Sequence, residues 1–179
     1  FEVLQQSQWW HRVFQKIQFG GRPVVSALHG AVVGGGLELA TSTHVRVADK
    51  SAFFHLPEGQ RGIFVGGGAS VRVGKIIGPD RMTEMMLTGR RYSAEDGYRL
   101  GLSHYLVEEG KALEEAMTLA AQIATNAPLS NWASITAVAN IGDMSMANGL
   151  YTESLAAAIA QSSDEANRRM QDFLNRKKG

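Results

Sequence analysis

The chain has 179 residues, 44% apolar and 20% charged, a size and composition that hold one cored domain with room for a small appendage and exclude disordered, coiled-coil or collagen-like readings. Eighteen Lys and Arg against 17 Asp and Glu leave a net charge of +1, which offers no footprint for nucleic acid or an acidic membrane surface. With no Cys there is no disulfide, thiol nucleophile or thiolate metal site, and with no cationic stretch leading into an apolar one at the start, a cytoplasmic protein is the expectation.

Trp10, Val13, Phe14 and Ile17 recur at helical spacing, so residues 1–19 are expected as an amphipathic helix ended by Gly20-Gly21. Pro23 opens the apolar run Val24 to Leu28, a buried parallel strand. His29-Gly30-Ala31-Val32-Val33 then leads into Gly34-Gly35-Gly36 and the helix-forming Leu37-Glu38-Leu39-Ala40. Val45 to Val47 and Ala52 to His55 read as two further strands, before the loop Leu56-Pro57-Glu58-Gly59. After a second cluster, Gly66-Gly67-Gly68, helices dominate: 80–87, 94–100 behind a Ser93 cap, 112–126, 129–139, 149–162 and 164–178, with one short strand at 105–107. The fold class is α/β. The expected organisation is a core over 1–110 and a helical region over 111–179 that packs on the core or on another subunit.

A triple-glycine turn at a helix start leaves backbone N–H groups free of side-chain cover, where the helix dipole favours negative charge. Such a turn either binds an oxyanion or merely lets strand and helix pack tightly, and composition leaves both open. A phosphate loop is excluded: the G-x-G-x-x-G spacing is missing, and Gly74-Lys75 is followed by Ile76 rather than Ser or Thr. Glu38 falls in the first turn of the helix and Glu58 in a loop two strands later. On parallel strands both reach one sheet edge, where two carboxylates can divide into general base and general acid. Otherwise they are solvated surface acids.

Residues 23–40, Phe54-His55-Leu56-Pro57-Glu58, residues 62–72, Leu87-Thr88-Gly89-Arg90 and Ser93-Ala94-Glu95-Asp96 resemble, in order and spacing, the crotonase (enoyl-CoA hydratase/isomerase) superfamily. The resemblance covers nearly the whole chain. It implies a spiral of ββα units and an acyl-CoA thioester substrate whose carbonyl oxygen is held by backbone amides, with no metal or other cofactor. Gly35 matches the oxyanion-hole glycine. Glu38 and Glu58 match the two glutamates that activate water for attack at C3 and protonate C2. Ala31, Gly34, Pro57 and Gly66 fall on positions lining the acyl pocket. Trimers paired into hexamers are the implied assembly, with no nucleic-acid or membrane partner.

Val65 departs from the family's usual Pro, Ala69-Ser70 replaces Gly-Thr, and Ala166-Asn167 stands where a Glu-Gly pair is frequent. The family also has further strands and a second oxyanion amide ahead of the position of Phe1, so roughly 70 to 90 upstream residues are expected, within one domain's size range. Retention of both glutamates favours reversible hydration of a 2,3-unsaturated acyl-CoA. The alternatives are enoyl-CoA isomerisation, an aromatic acyl-CoA hydratase/lyase reaction, or a non-catalytic binding protein on the same fold. His29, His44, His55 and His104 lack ligand spacing and are expected as structural or surface residues, as are Met82, Met85, Met86, Trp9 and Trp10. Arg176-Lys177-Lys178 reads as a solvated tail, although a terminal Lys in this family can approach a coenzyme A phosphate.

Overall fold

The computed structural model of the protein describes residues 1–176. α1 (Glu2–Phe19) is amphipathic, with Phe14 as its buried residue, and ends at Gly20. β1 (Val25–Leu28) and β2 (Ala31–Val33) are separated only by His29 and Gly30, and α2 (Gly35–Thr41) follows at once. β3 (Val45–Asp49) and β4 (Phe53–His55) repeat the pair and lead through a 3-10 turn (Gly59–Arg61) into α3 (Ala69–Ile77) and α4 (Pro79–Thr88). β5 (Tyr92–Ser93), α5 (Ala94–Leu100) and β6 (Tyr105–Val107) come next. The described chain ends with α6 (Ala112–Ala124), α7 (Pro128–Ile141), α8 (Met146–Gln161) and α9 (Asp164–Arg176).

The strands form two sheets where the sequence reading expects one. β1, β3 and β6 lie parallel in the first, Val25 opposite Val45 and Val47 opposite Tyr105; β2 and β4 lie parallel in the second, with β5 antiparallel at its edge. Residues 31–33, which the sequence reading passes over on the way to the glycine turn, are a strand of their own. The switch is Gly30: at φ +56° it bends the chain out of the first sheet, its N–H donating to Ser51 Oγ (3.0 Å) and its carbonyl accepting from Phe53 N–H (2.8 Å). β3 and β4 repeat the same step, so successive ββα units wind as a spiral. The consequence is that α2 and the loop after β4 both leave the carboxyl ends of the second sheet's parallel strands, side by side.

The main cluster of the core is apolar. Leu37, Phe54, Leu56, Met85 and Leu102 are fully buried, and Val73 and Ile77 bring α3 onto them. Truncating Phe54 to Ala would cost about 3–5 kcal/mol. The Ser93 cap stands as expected, its Oγ accepting from Asp96 N–H at 3.1 Å. His44, His55 and His104 serve the fold. His44 donates from Nε2 to the Gln18 carbonyl and accepts the Val24 N–H at Nδ1, both at 2.9 Å, fixing the end of α1 to the first sheet. His55 Nδ1–H donates to the Arg90 carbonyl (3.1 Å), and His104 Nδ1 accepts the Arg46 N–H (3.0 Å). The Arg46 guanidinium is buried against the carbonyls of Leu102 (2.6 Å), Thr43 and Gly101 (3.1 Å each), and burial lowers it to about 10.

Contacts divide the chain into two compact units, residues 1–20 with 24–120, and residues 21–23 with 121 onward. In the second, α7 packs on α8 and α8 on α9, yet Leu150, Tyr151, Leu155 and Ile159 of α8 stay exposed. The side chains of Arg176-Lys177-Lys178 lie outside the described residues. No helix among the described residues is long and apolar enough to cross a membrane.

Candidate active site

The first glycine cluster forms the start of α2. Gly34, the residue before its first turn, adopts φ +52° and ψ −122°, open only to glycine. Its N–H donates to the His55 carbonyl (3.0 Å), which ties the turn to β4, and its carbonyl accepts the N–H groups of Leu37 (2.9 Å) and Glu38 (3.0 Å). The amides of Gly35 and Gly36 precede any possible intrahelical acceptor, and both residues are exposed. A Cβ added at either would meet nothing within 4 Å.

Glu38, one turn in, points away from solvent and is only 6% exposed. Its Oε1 accepts two backbone hydrogen bonds from the second glycine cluster, Gly67 N–H at 2.7 Å and Ala69 N–H at 3.1 Å. Its Oε2 lies against Gly67, where a Cβ would overlap it and would also stand 2.8 Å from the Phe14 ring. Glu58 follows β4 and is 9% exposed. It rests over Gly34, since a Cβ there would be 2.8 Å from its Oε1, while its Oε2 is buried without a hydrogen-bond partner among the described residues. Burial raises the Glu58 carboxyl above its ordinary value, and Glu38 adds in the same direction; its own backbone N–H, His55 and Arg61 pull the other way. The two acids are thus buried neighbours, and the reading of them as solvated surface acids is wrong.

The other predicted positions have varied surroundings. Pro57 immediately precedes Glu58 and is half-buried; Gly66 accepts a hydrogen bond from Ser7 Oγ at 2.7 Å; Ala31 opens β2 and is exposed. Sequence reasoning missed Ser7, Arg72 and the Gly67 and Ala69 amides. Nothing in the linear pattern marks them, because Ser7 reaches Gly66 across 59 residues, Arg72 reaches Gln18 across 54, and the Gly67 and Ala69 amides reach Glu38 across 29 and 31. Among the described residues no cluster of His, Asp and Glu side chains is arranged to hold a metal ion.

This geometry, a buried glutamate pair set against a glycine turn on a ββα spiral, agrees with what the chain matches. Residues 5–179 match the enoyl-CoA hydratase/isomerase family, and the chain belongs to it, within the crotonase superfamily. A crystal structure from Rhodopseudomonas palustris, provisionally described as an enoyl-CoA hydratase, is 53% identical and superposes with a TM-score of 0.94 over 98% of this chain and 68% of that one. An enoyl-CoA hydratase from Bacillus anthracis, 27% identical, gives 0.91 over the same shares. A carnitinyl-CoA dehydratase of Salmonella typhi is 38% identical over 109 residues, which is 61% of this chain and 42% of that protein. The chain thus spans about two fifths of the length of the curated relatives it matches.

Proposed function

We propose that the protein is an enoyl-CoA hydratase-like lyase that adds water reversibly to a 2,3-unsaturated acyl-CoA thioester. The observation that carries this reading is the buried pair: Glu38 with Oε1 committed to two amides, beside Glu58 with a buried oxygen that has no hydrogen-bond partner among the described residues. Two acids in such unequal surroundings can take opposite roles in one proton-transfer reaction. Glu38, fixed in orientation, takes a proton from water as the water oxygen attacks C3. Glu58, whose carboxyl burial biases toward the protonated form, delivers its proton to C2. A proton passing from Glu38 to Glu58 through solvent restores the pair, so the same path runs backward as dehydration.

Charge develops meanwhile on the thioester oxygen. The exposed Gly35 N–H is placed to receive it, and an amide aimed at developing charge contributes about 3 kcal/mol. Gly34 and Pro57, which carry Glu58, and Gly66, which carries the loop holding Glu38, line the acyl end of the site together with Ala31. The exposed apolar residues of α8 fit assembly with further copies of the chain, as trimers or hexamers. The test is a panel of enoyl-CoA thioesters of differing chain length and aromaticity, followed by loss of the conjugated absorbance. Hydration of at least one supports the reading. Migration of the double bond without water addition points to an isomerase, and inertness toward every thioester to a binding protein.

A further inference from the structure

α1 has no part in the chemistry above, yet one face of it is built around the second glycine cluster. Ser7, Phe14 and Gln18 stand seven and four residues apart, on one side of the helix. Ser7 Oγ donates to the Gly66 carbonyl at 2.7 Å. That carbonyl belongs to the same peptide unit as the Gly67 N–H, which donates to Glu38 Oε1, also at 2.7 Å. The peptide is planar, so fixing its oxygen fixes the direction of its N–H. Phe14 packs where a Gly67 side chain would stand. Gln18 Oε1 accepts from Arg72 Nε at 2.8 Å, and Arg72 Nη1 donates to the next carbonyl, that of Gly67, at 3.2 Å. Three consecutive glycines resist rotation poorly by themselves, and here two successive carbonyls are held from outside.

We infer that Ser7 is a positioning residue: its hydroxyl, through the Gly66–Gly67 peptide, aims the N–H that orients Glu38, with Arg72 and Gln18 holding the following peptide. Each hydrogen bond in this chain polarises the next, so the seryl hydroxyl also strengthens the bond to the carboxylate. The inference rests on the reading of Glu38 as the base that activates water.

The test is a cycle of four proteins, Ser7→Ala, Glu38→Gln, the double variant and the unmodified protein, each assayed for kcat, KM and thermal unfolding, with Ser7→Thr as the conservative control. Ala is a better helix former than Ser, so the fold is retained. Misaiming a catalytic group by a fraction of an ångström should lower kcat by roughly tenfold, less than the ~100-fold a 1 Å displacement can cost. The expected result is that loss in Ser7→Ala, with KM and melting temperature unchanged, recovery in Ser7→Thr, and no further loss when Ser7→Ala is added to Glu38→Gln. An unchanged kcat in Ser7→Ala, or the same tenfold loss in both backgrounds, overturns the inference while leaving the hydratase reading in place. Wild-type turnover in Glu38→Gln alone overturns both.

Discussion

Gly34–Gly36 and Gly66–Gly68 have the same composition and opposite uses. In the first cluster Gly35 and Gly36 are exposed and the space a side chain would take is open. In the second, Gly67 and Gly68 are buried, and the Gly67 and Ala69 amides are spent on a carboxylate. The acids cross between them. Glu38 rises from the helix of the first cluster and lies on the second, and Glu58 precedes the second cluster and lies on the first. The second glycine turn is a cradle for a side chain, while the first keeps two amides without an intrahelical acceptor.

Substitutions at the glycines break this contrast unequally. The largest effect is expected at Gly67, where a side chain is driven into both Glu38 and the Phe14 ring. Gly67→Val should lower turnover by about 100-fold or more, as a 1 Å displacement of a reacting group does. Steady-state assay beside a melting curve checks that the loss exceeds any loss of fold.

Gly34 and Gly35 are adjacent and should differ in sign. Gly34→Ala places a Cβ 2.8 Å from Glu58 Oε1 at φ +52°, a strain of about 1–3 kcal/mol. Gly35→Ala meets nothing, and by restricting the unfolded chain it should stabilise by up to about 1 kcal/mol. Thermal unfolding of the two variants should give opposite shifts.

A smaller effect sharpens the difference between the two acids. Glu58 sits above the usual 4.5 in the folded protein, so as pH rises the unfolded chain ionises first and gains relative to the fold. The contribution of this group to stability is full below about 4.5 and is lost as pH rises through the folded value. Glu58→Gln should then melt on the order of 1–3 °C above the unmodified protein at neutral pH, with the gap closing toward pH 4. A gap that widens toward acid would reverse the assigned environment.

Much of this was legible in residue order. The strand, glycine turn and following Glu38, the Pro57-Glu58 loop, the Ser93 cap and most helices carry local signals of period or capping. α3 did not: Val71, Val73, Ile76 and Ile77 are β-branched, Gly74 interrupts it, and no side chain caps its start. The division into two sheets turns on the single residue Gly30, whose positive φ no periodicity reveals. The burial of both acids, and the clamp from Ser7 to Glu38, depend on contacts between residues far apart in the chain.

The central claim is that Glu38 and Glu58 act as one unit on one water and one substrate. Turnover of Glu38→Gln, Glu58→Gln and the double variant on the best enoyl-CoA thioester tests it most directly. Groups that share a step are not additive. Each single variant should lose at least ~100-fold, the scale of a positioned acid or base, and the double variant should lose about as much as the worse single one. Near-wild-type turnover in either single variant, or losses that multiply in the double, would contradict the account.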